Sequence, residues 1–392
     1  MPRDWERLLD PPRLRTGEAE EDRRATWLEL FFDLVFVVSI AELDSRLSDD
    51  VTLAGLLEFV ALFVPVWWAW AGFTFYANRF DTDDLVYRLL VFTAMFGVAA
   101  MAANVHHAFE GGSTAFALSY VFVRVVLLGL YARAIRYVEA ARPFASVFFG
   151  AFGVSAALWL ISLAFPEPTR YWLWALALAI ELPAPLLGWR LVPAAPVDPR
   201  HLPERFGLMT IIVLGESVFA VVVGVAGVSW ELESGAAAVA GFLAAVSIWW
   251  IYFEFLDVMP ILGRGLARGL VFTYTHFFVW VGIAALAVGV KLAIFSAGGD
   301  RHYDDTAWVF CAGAAVCMLA LAVVQLATPP GLFDIDVILR LGTAALALVL
   351  LPVSFALPTL AVLWILTAAL AVQVVFELLE HEEHAPARGL DL

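Results

Sequence analysis

The sequence predicts an all-α polytopic membrane protein with about 12 transmembrane helices, arranged as two parallel six-helix repeats. Three observations predict this class. Of the 392 residues, 62% are hydrophobic and only 16% are charged, and the mean hydropathy is +0.85. A soluble chain of this length needs far more polar surface. The apolar residues also gather in long runs, and the two halves of the chain share motifs.

Twelve apolar runs are each long enough to cross about 30 Å of hydrocarbon. They lie near residues 25–43, 53–77, 88–107, 116–136, 146–165, 171–189, 205–227, 236–256, 269–292, 307–327, 338–356 and 358–379. The last two runs are nearly fused, and Phe355–Pro358 provides the turn between them.

The positive charges predict the orientation of these helices. Of the 23 lysine and arginine residues, 18 fall on the side of the N-terminus and four on the opposite side, while Arg124 lies inside a helix. Because cytoplasmic loops carry the excess of Lys and Arg, both termini are expected in the cytoplasm. A net charge of −15 without a basic stripe argues against nucleic acid. The expected partners are the lipid bilayer and a small ion or solute, and the oligomeric state stays open.

Matching motifs indicate that the halves are repeats. The segment FFDLVFVVSI at 31–40 aligns with LGESVFAVVV at 214–223, and Leu90–Thr93 recurs as Leu270–Thr273. Six helices is an even number, so the repeats would run in the same orientation with a site between them. The predicted boundaries are a cytoplasmic tail at 1–24, a first repeat at 25–189, a proline-rich linker at 190–204, a second repeat at 205–379 and a tail at 380–392.

Acidic residues inside the apolar runs are the candidates for function. Glu29 and Asp33 are four residues apart and share one face of the first helix. Asp33 and Glu216 occupy equivalent positions of the two repeats, and acids deep in hydrocarbon are usually functional. We expect these two carboxylates to face each other and bind a cation or pass a proton. In the structural alternative, each carboxylate bonds a neighbouring helix or an arginine.

Other residues of these helices extend the candidate site. Glu29 is interpreted as an interfacial anchor, an entry-side acid or the partner of a loop arginine. Arg124 needs a carboxylate partner inside the membrane, and Asp33, Glu58 and Glu181 are the candidates. His276 is a core residue or a proton relay beside Glu216. The full set of candidate ion-binding or substrate-binding residues is Asp33, Glu216, Glu29, His276, Arg124, Glu254 and Ser217.

Two aromatic clusters flank these acids, WWAWAGFTFY in the second run and WWIYFEF in the eighth. Belts at the lipid–water interface explain such clusters more often than cation–π boxes do. Metal-ligand spacings, phosphate loops and nucleophile motifs do not occur, so we expect no metal site and no cofactor. Cys311 and Cys317 lie in one apolar run and suit packing better than a disulfide.

The motifs TWLELFFDLVFVVSIAEL and HLPERFGLMTIIVLGESVFAVV together resemble the bacterial low temperature requirement protein A (LtrA) family. The resemblance covers nearly the whole chain, and it implies a polytopic protein of the bacterial inner membrane. It implies no reaction or substrate. The matching positions are Glu29–Asp33, Arg205–Gly207 and Gly215–Ser217.

Three classes of function compete. The favoured one is a transporter or channel for a small ion or solute, in a proton-coupled form if the carboxylates titrate. A lipid or isoprenoid enzyme is the second class, and it would depend on Asp81, Asp83 and Asp84, although enzymatic activity is the less favoured reading. The third class is a structural or sensory membrane protein that supports growth in the cold.

Overall fold

The apolar runs form helices throughout the described part of the chain. A computed structural model describes residues 10–14, 25–81, 83–188, 191, 201–254, 256, 266–299, 305–326 and 334–384. The helices are α1 Trp27–Asp49, α2 Leu53–Arg79, α3 Leu85–Ala102, α4 Ser113–Tyr137, α5 Arg142–Ser162, α6 Thr169–Glu181, α7 Ala184–Leu187, α8 His201–Ala226, α9 Leu232–Phe253, α10 Leu266–Ala297, α11 Ala307–Leu326, α12 Ile335–Val353 and α13 Thr359–His384. Two short antiparallel strands, β1 Arg13–Leu14 and β2 Phe80–Asp81, pair with each other.

The predicted fold class is confirmed: the protein is an all-α polytopic membrane protein, and every predicted run except 171–189 forms one long helix. Among the described residues, ten helices are long and apolar enough to cross a membrane. Two of the predicted spans are not among these ten helices. α1 carries several charges, and α6 has 13 residues and spans only about 20 Å. Pro183 follows directly after α6 and separates it from α7, because proline lacks an amide hydrogen to continue a helix.

The chain divides into two compact units, and the division falls inside α8. Unit 1 contains residues 1–46 and 57–209, and unit 2 contains residues 47–56 and 210–392. The predicted linker at 190–204 lies mostly outside the described residues. The repeat boundaries therefore stay a prediction.

Unit 1 is held together by neighbouring helices and by aromatic packing. Within it, α3 packs against α4, α4 against α5 and α5 against α6. Tyr131 of α4 stacks on Phe148 of α5, with ring centroids 5.7 Å apart. Trp159 of α5 stacks on Trp174 of α6 at 4.5 Å. These rings are buried and form an aromatic layer between the helices.

Unit 2 is built around α10, which is almost wholly buried. It packs against α9, α11 and α13, and α11 continues the contact to α12. The closest approach is between α10 and α11, where Gly282 and Gly313 lie against each other's backbone. Small residues are the usual means of bringing membrane helices this close, since lipid provides no hydrophobic drive for association.

Gly282→Ala is expected to destabilise the protein because an added methyl group would lie 2.6 Å from the backbone nitrogen of Cys317. Overpacking against backbone should lower the free energy of unfolding by about 2 kcal/mol. Gly342→Ala in α12 is the matched control, since its methyl group would meet nothing within 4 Å. The control should be neutral or stabilising by up to about 1 kcal/mol. Thermal unfolding in detergent measures both, and equal midpoints for the two variants would contradict this packing.

Candidate functional site

The first turn of α1 is closed by a reciprocal pair of hydrogen bonds. The backbone amide of Thr26 donates to Oε2 of Glu29 at 2.8 Å, and the amide of Glu29 donates to Oγ1 of Thr26 at 3.3 Å. The Thr26 hydroxyl also donates to Glu29 at 3.0 Å. This is a capping box, in which Thr26 and the residue three positions later satisfy each other's amides. The cap fixes the position of the Glu29 carboxylate.

The other oxygen of Glu29 faces the start of α8. Oε1 lies 3.5 Å from Nη1 of Arg205 and 3.4 Å from Nε2 of His201. Glu204 completes the junction, because its carboxylate accepts a bond from the amide of Ala25 at 3.0 Å and lies 3.4 Å from Nδ1 of His201. The first turns of α1 and α8 are therefore joined by side chains of both helices. Among the roles expected for Glu29, the structure shows a contact with an arginine, Arg205, which lies in the first turn of α8.

Asp33 lies one turn further along α1, with its side chain only 1% exposed. Its Oδ1 atom accepts two hydrogen bonds, from Nη2 of Arg205 at 2.5 Å and from Nε1 of Trp70 at 2.7 Å. The ring of Phe206 packs edge-on against Trp70 at 5.0 Å and holds the indole in place. The second oxygen, Oδ2, is buried and has no hydrogen-bond partner among the described residues.

The charges of this cluster do not cancel. Two carboxylates, Glu29 and Asp33, surround one guanidinium, and all three side chains are almost completely buried. A buried carboxylate without full compensation is costly in low dielectric, so a proton, a cation or a positively charged His201 would lower the energy of the cluster. A cavity of about 10 Å³ touches Glu29 and Arg205, and this is room for about one water molecule.

The partner of Arg124 is Glu181, one of the three candidates. Nε of Arg124 lies 3.2 Å from Oε2 of Glu181, and both side chains are fully buried. The Tyr120 hydroxyl bonds both groups, accepting from the arginine at 2.6 Å and contacting the carboxylate. The guanidinium also lies over the ring of Phe152 at 5.0 Å. This charge-balanced group of Arg124, Glu181 and Tyr120 ties α4 to α6.

The sequence-predicted residues of unit 2 lie on three helices. Glu216 and Ser217 are buried in α8, whereas Glu254 is exposed at the end of α9. His276 of α10 is fully buried, and its Nδ1 lies 2.7 Å from the carbonyl oxygen of Phe272. Nδ1 therefore donates to this carbonyl, and Nε2 lies 2.9 Å from the Tyr252 hydroxyl. His276 is a buried residue with both ring nitrogens hydrogen-bonded.

The structure bonds Asp33 to Arg205, and the face-to-face arrangement of Asp33 and Glu216 stays a prediction. Arg205 was expected only as a position that matches the family motif and as a cytoplasmic charge, without a partner assigned to it. His201 was not predicted as a site residue, and Trp70 was interpreted as part of an aromatic belt in preference to a cation–π box. The belt interpretation is wrong for Trp70, which is fully buried and donates to an acid.

The acidic residues of the enzyme alternative also have structural partners. Asp84 caps α3 by accepting from the amide of Tyr87 at 2.9 Å, and it pairs with Arg133 at 2.5 Å. Asp83 pairs with Arg88 at 2.8 Å on the surface. The side chain of Asp81 lies outside the described residues. Asp83 and Asp84 therefore stabilise the start of α3 by a helix cap and by ion pairs.

The fold and this site define a class, a multi-pass membrane protein with a buried carboxylate–arginine cluster. Bacterial low temperature requirement A protein (LtrA) is the family that matches, over residues 24–375. The chain belongs to this family. It is also 32% identical over 253 residues to the uncharacterized protein RA0937 of Rhizobium meliloti (strain 1021). That alignment covers 60% of each chain, so the chain spans about three fifths of this relative's length.

Arg205→Ala is expected to cost about 3–5 kcal/mol of folding stability because it leaves Asp33 buried without its charged partner. The double variant Arg205→Ala with Asp33→Asn should recover part of this loss, since it also removes the unpaired charge. Thermal unfolding of the single and double variants forms a double-mutant cycle. Additive losses in the cycle would contradict the ion pair.

Proposed function

We propose that the protein is a transporter or channel for a small ion or solute, in which proton uptake by intramembrane carboxylates drives or gates movement. The observation that carries this proposal is Asp33, whose Oδ1 bonds Arg205 and Trp70 while Oδ2 stays buried and unbonded among the described residues. An unbonded carboxylate oxygen is a position that a proton can occupy without breaking an existing hydrogen bond. The resulting neutral acid would attract Arg205 less strongly.

Arg205 has a second carboxylate within reach, which supplies the other half of the mechanism. Its Nη1 atom lies 3.5 Å from Glu29, which is longer than the 2.5 Å bond to Asp33. Protonation of Asp33 removes one of the two competing acids, and Arg205 then shifts towards Glu29. A guanidinium shared by two acids of one helix face is thus a two-state element that responds to one proton.

Location and orientation of the protein are part of the same proposal. Membership of a bacterial family and the excess of arginine on one side favour the inner membrane with cytoplasmic termini. The start of α1 and α8 would then face the cytoplasm, and protons would reach Asp33 from that side. The proposed parallel repeats are supported by the similar order of packing, since consecutive helices α3–α6 and α10–α13 are neighbours within their units.

A structural or sensory role is the main competitor. It would use Arg205 and Asp33 only to hold α1 against α8. Glu29 and Asp33 share one arginine, so the cluster needs a proton or a charged His201 for balance, whereas Arg124 and Glu181 balance each other elsewhere in unit 1. This need for a proton favours transport over a purely structural role. The lipid-enzyme alternative gains no support from Asp83 and Asp84, which bond arginines.

Asp33→Asn is expected to reduce proton flux by about tenfold or more, because the amide carries no proton to exchange and no charge for Arg205. Flux is measured with purified protein in liposomes, using an internal pH-sensitive dye under an imposed potential. Asp83→Asn is the matched control, since this carboxylate is exposed and pairs only at the surface.

The control should keep its flux, and all variants should be monodisperse and show a cooperative thermal transition. Normal flux in Asp33→Asn would rule out this site. Absence of proton, Na⁺ and K⁺ flux in the unmodified protein would restrict the proposal to organic solutes.

A further inference from the structure

His201 lies between two carboxylates at the junction of α1 and α8. His201, Glu204 and Arg205 are three and four residues apart at the start of α8, so they lie on one face of this helix. That face meets α1, because Nε2 of His201 lies 3.4 Å from Oε1 of Glu29. Nδ1 of the same ring lies 3.4 Å from Oε2 of Glu204. Each ring nitrogen therefore has its own carboxylate.

These groups also form a sequence from the surface to the interior of unit 1. The side chain of Glu204 is 35% exposed, whereas that of His201 is 2% exposed. Glu29 is almost completely buried, and Asp33 lies one turn further along α1 on the same face. The imidazole of His201 thus separates a carboxylate that water reaches from a carboxylate that is buried.

An imidazole can move a proton between two such groups because its nitrogens can exchange roles. A neutral ring carries a proton on one nitrogen and accepts at the other, whereas the charged ring donates from both. The charged ring of His201 would donate to both carboxylates at once, which stabilises the intermediate of a transfer. Both contacts are about 0.5 Å longer than an ordinary N–H···O hydrogen bond, so a small tilt of the ring closes either of them.

The other polar groups around Glu29 are less suited to this transfer. Arg205 keeps its charge in proteins and cannot release a proton. Tyr87 of α3 lines the same cavity as Glu29 and Arg205, and a tyrosine hydroxyl ordinarily keeps its proton at neutral pH. The residues that α2 contributes to this cavity are apolar. Histidine, in contrast, changes its charge near neutral pH.

We propose that His201 is a proton relay that carries protons from Glu204 to Glu29. A proton on the carboxyl group of Glu204 passes to Nδ1 of a ring that is protonated at Nε2, which gives the charged ring. The proton on Nε2 then passes to Oε1 of Glu29, which becomes neutral, while the ring keeps the proton on Nδ1. A flip of the ring returns its N–H group to the side of Glu29 for the next proton.

The relay delivers its proton one helical turn from Asp33. Glu29 and Asp33 share Arg205, so a neutral Glu29 leaves Arg205 to Asp33 alone. Onward transfer of the proton to Asp33 returns Arg205 to Glu29. The use of this onward step for transport rests on the proposed function, whereas the transfer from Glu204 to Glu29 does not.

His201→Gln is expected to slow proton uptake by the buried acids by about 100-fold or more, because a positioned proton-transfer group typically contributes this much. The measurement uses purified full-length protein in detergent and follows the infrared band of protonated carboxyl groups after a rapid drop in pH. The part of the band that disappears in a double variant, Glu29→Gln with Asp33→Asn, is the signal. It should rise slowly in His201→Gln and reach its full final intensity.

His107→Gln is the matched control, since His107 is exposed beyond the end of α3, and it should keep the unmodified rate. Uptake at the unmodified rate in a folded His201→Gln protein would overturn the inference. A loss of final intensity without slowing would indicate a structural role and would also overturn it.

Glu204→Gln is the second variant, and it decides the question if His201→Gln does not fold. Its side chain is partly exposed, and the amide oxygen can still accept the bond from the backbone of Ala25. Because the amide carries no proton to pass on, uptake should be slowed here as well. An unchanged rate in Glu204→Gln would overturn the relay.

Flux through liposomes separates this inference from the proposed function. Slowed uptake in His201→Gln, together with no flux in the unmodified protein, would contradict the transport proposal and support the relay. Flux that depends on Asp33 but is unchanged in His201→Gln would keep the transport proposal and overturn the relay. If the unmodified protein showed no such carboxyl band between about pH 5 and pH 8, where histidine titrates, the relay would be overturned whatever the flux.

Discussion

The ion pair between Arg205 and Asp33 is the constraint on which the organisation of unit 1 depends. Both side chains are almost completely withdrawn from solvent, with Nη2 and Oδ1 2.5 Å apart. Removing either charge leaves the other buried without its principal partner, which is costly in low dielectric. α1 and the start of α8 must therefore stay adjacent, although 172 positions separate these residues. The capping box of Thr26 fixes the carboxylate of Glu29, and the indole of Trp70 fixes that of Asp33, so that both face the guanidinium of Arg205.

Most of the fold was predictable because the bilayer imposes a length on every spanning helix. Hydropathy therefore identified all the long helices, including the separation of α12 from α13 before Pro358. The shortness of α6 was not predicted, because its apolar composition continues beyond Glu181 and conceals the break at Pro183. The presence of a helix can be predicted from the average composition of a run. The residue at which the helix ends depends on the position of a proline, which lacks the amide hydrogen that would continue it.

Of the residues in the candidate site, only the acidic ones could be predicted from the sequence. Glu29 and Asp33 are conspicuous because carboxylates are rare in apolar runs, but an arginine at the start of a helix has the same sequence appearance whether it faces water or protein. Arg205 and Arg340 were both counted as cytoplasmic charges, and both are buried. Their orientation depends on tertiary neighbours that no local pattern encodes. Thr26 with Glu29 is different, since the T-x-x-E pattern of a capping box was available in the sequence.

Asp33 and Glu216 lie in helices with matching sequence motifs, but the two acids have different surroundings. Oδ1 of Asp33 accepts from a guanidinium and an indole, so a proton on Oδ2 would weaken an ion pair that also holds the fold. Glu216 is buried in α8 and forms no hydrogen bond or ion pair with a described residue. Proton exchange at Glu216 therefore costs little structure, whereas exchange at Asp33 moves an arginine. The environment of Asp33 therefore suits coupling of an ion to a conformational change, because a change in the charge of Asp33 alters a contact that holds α1 against α8.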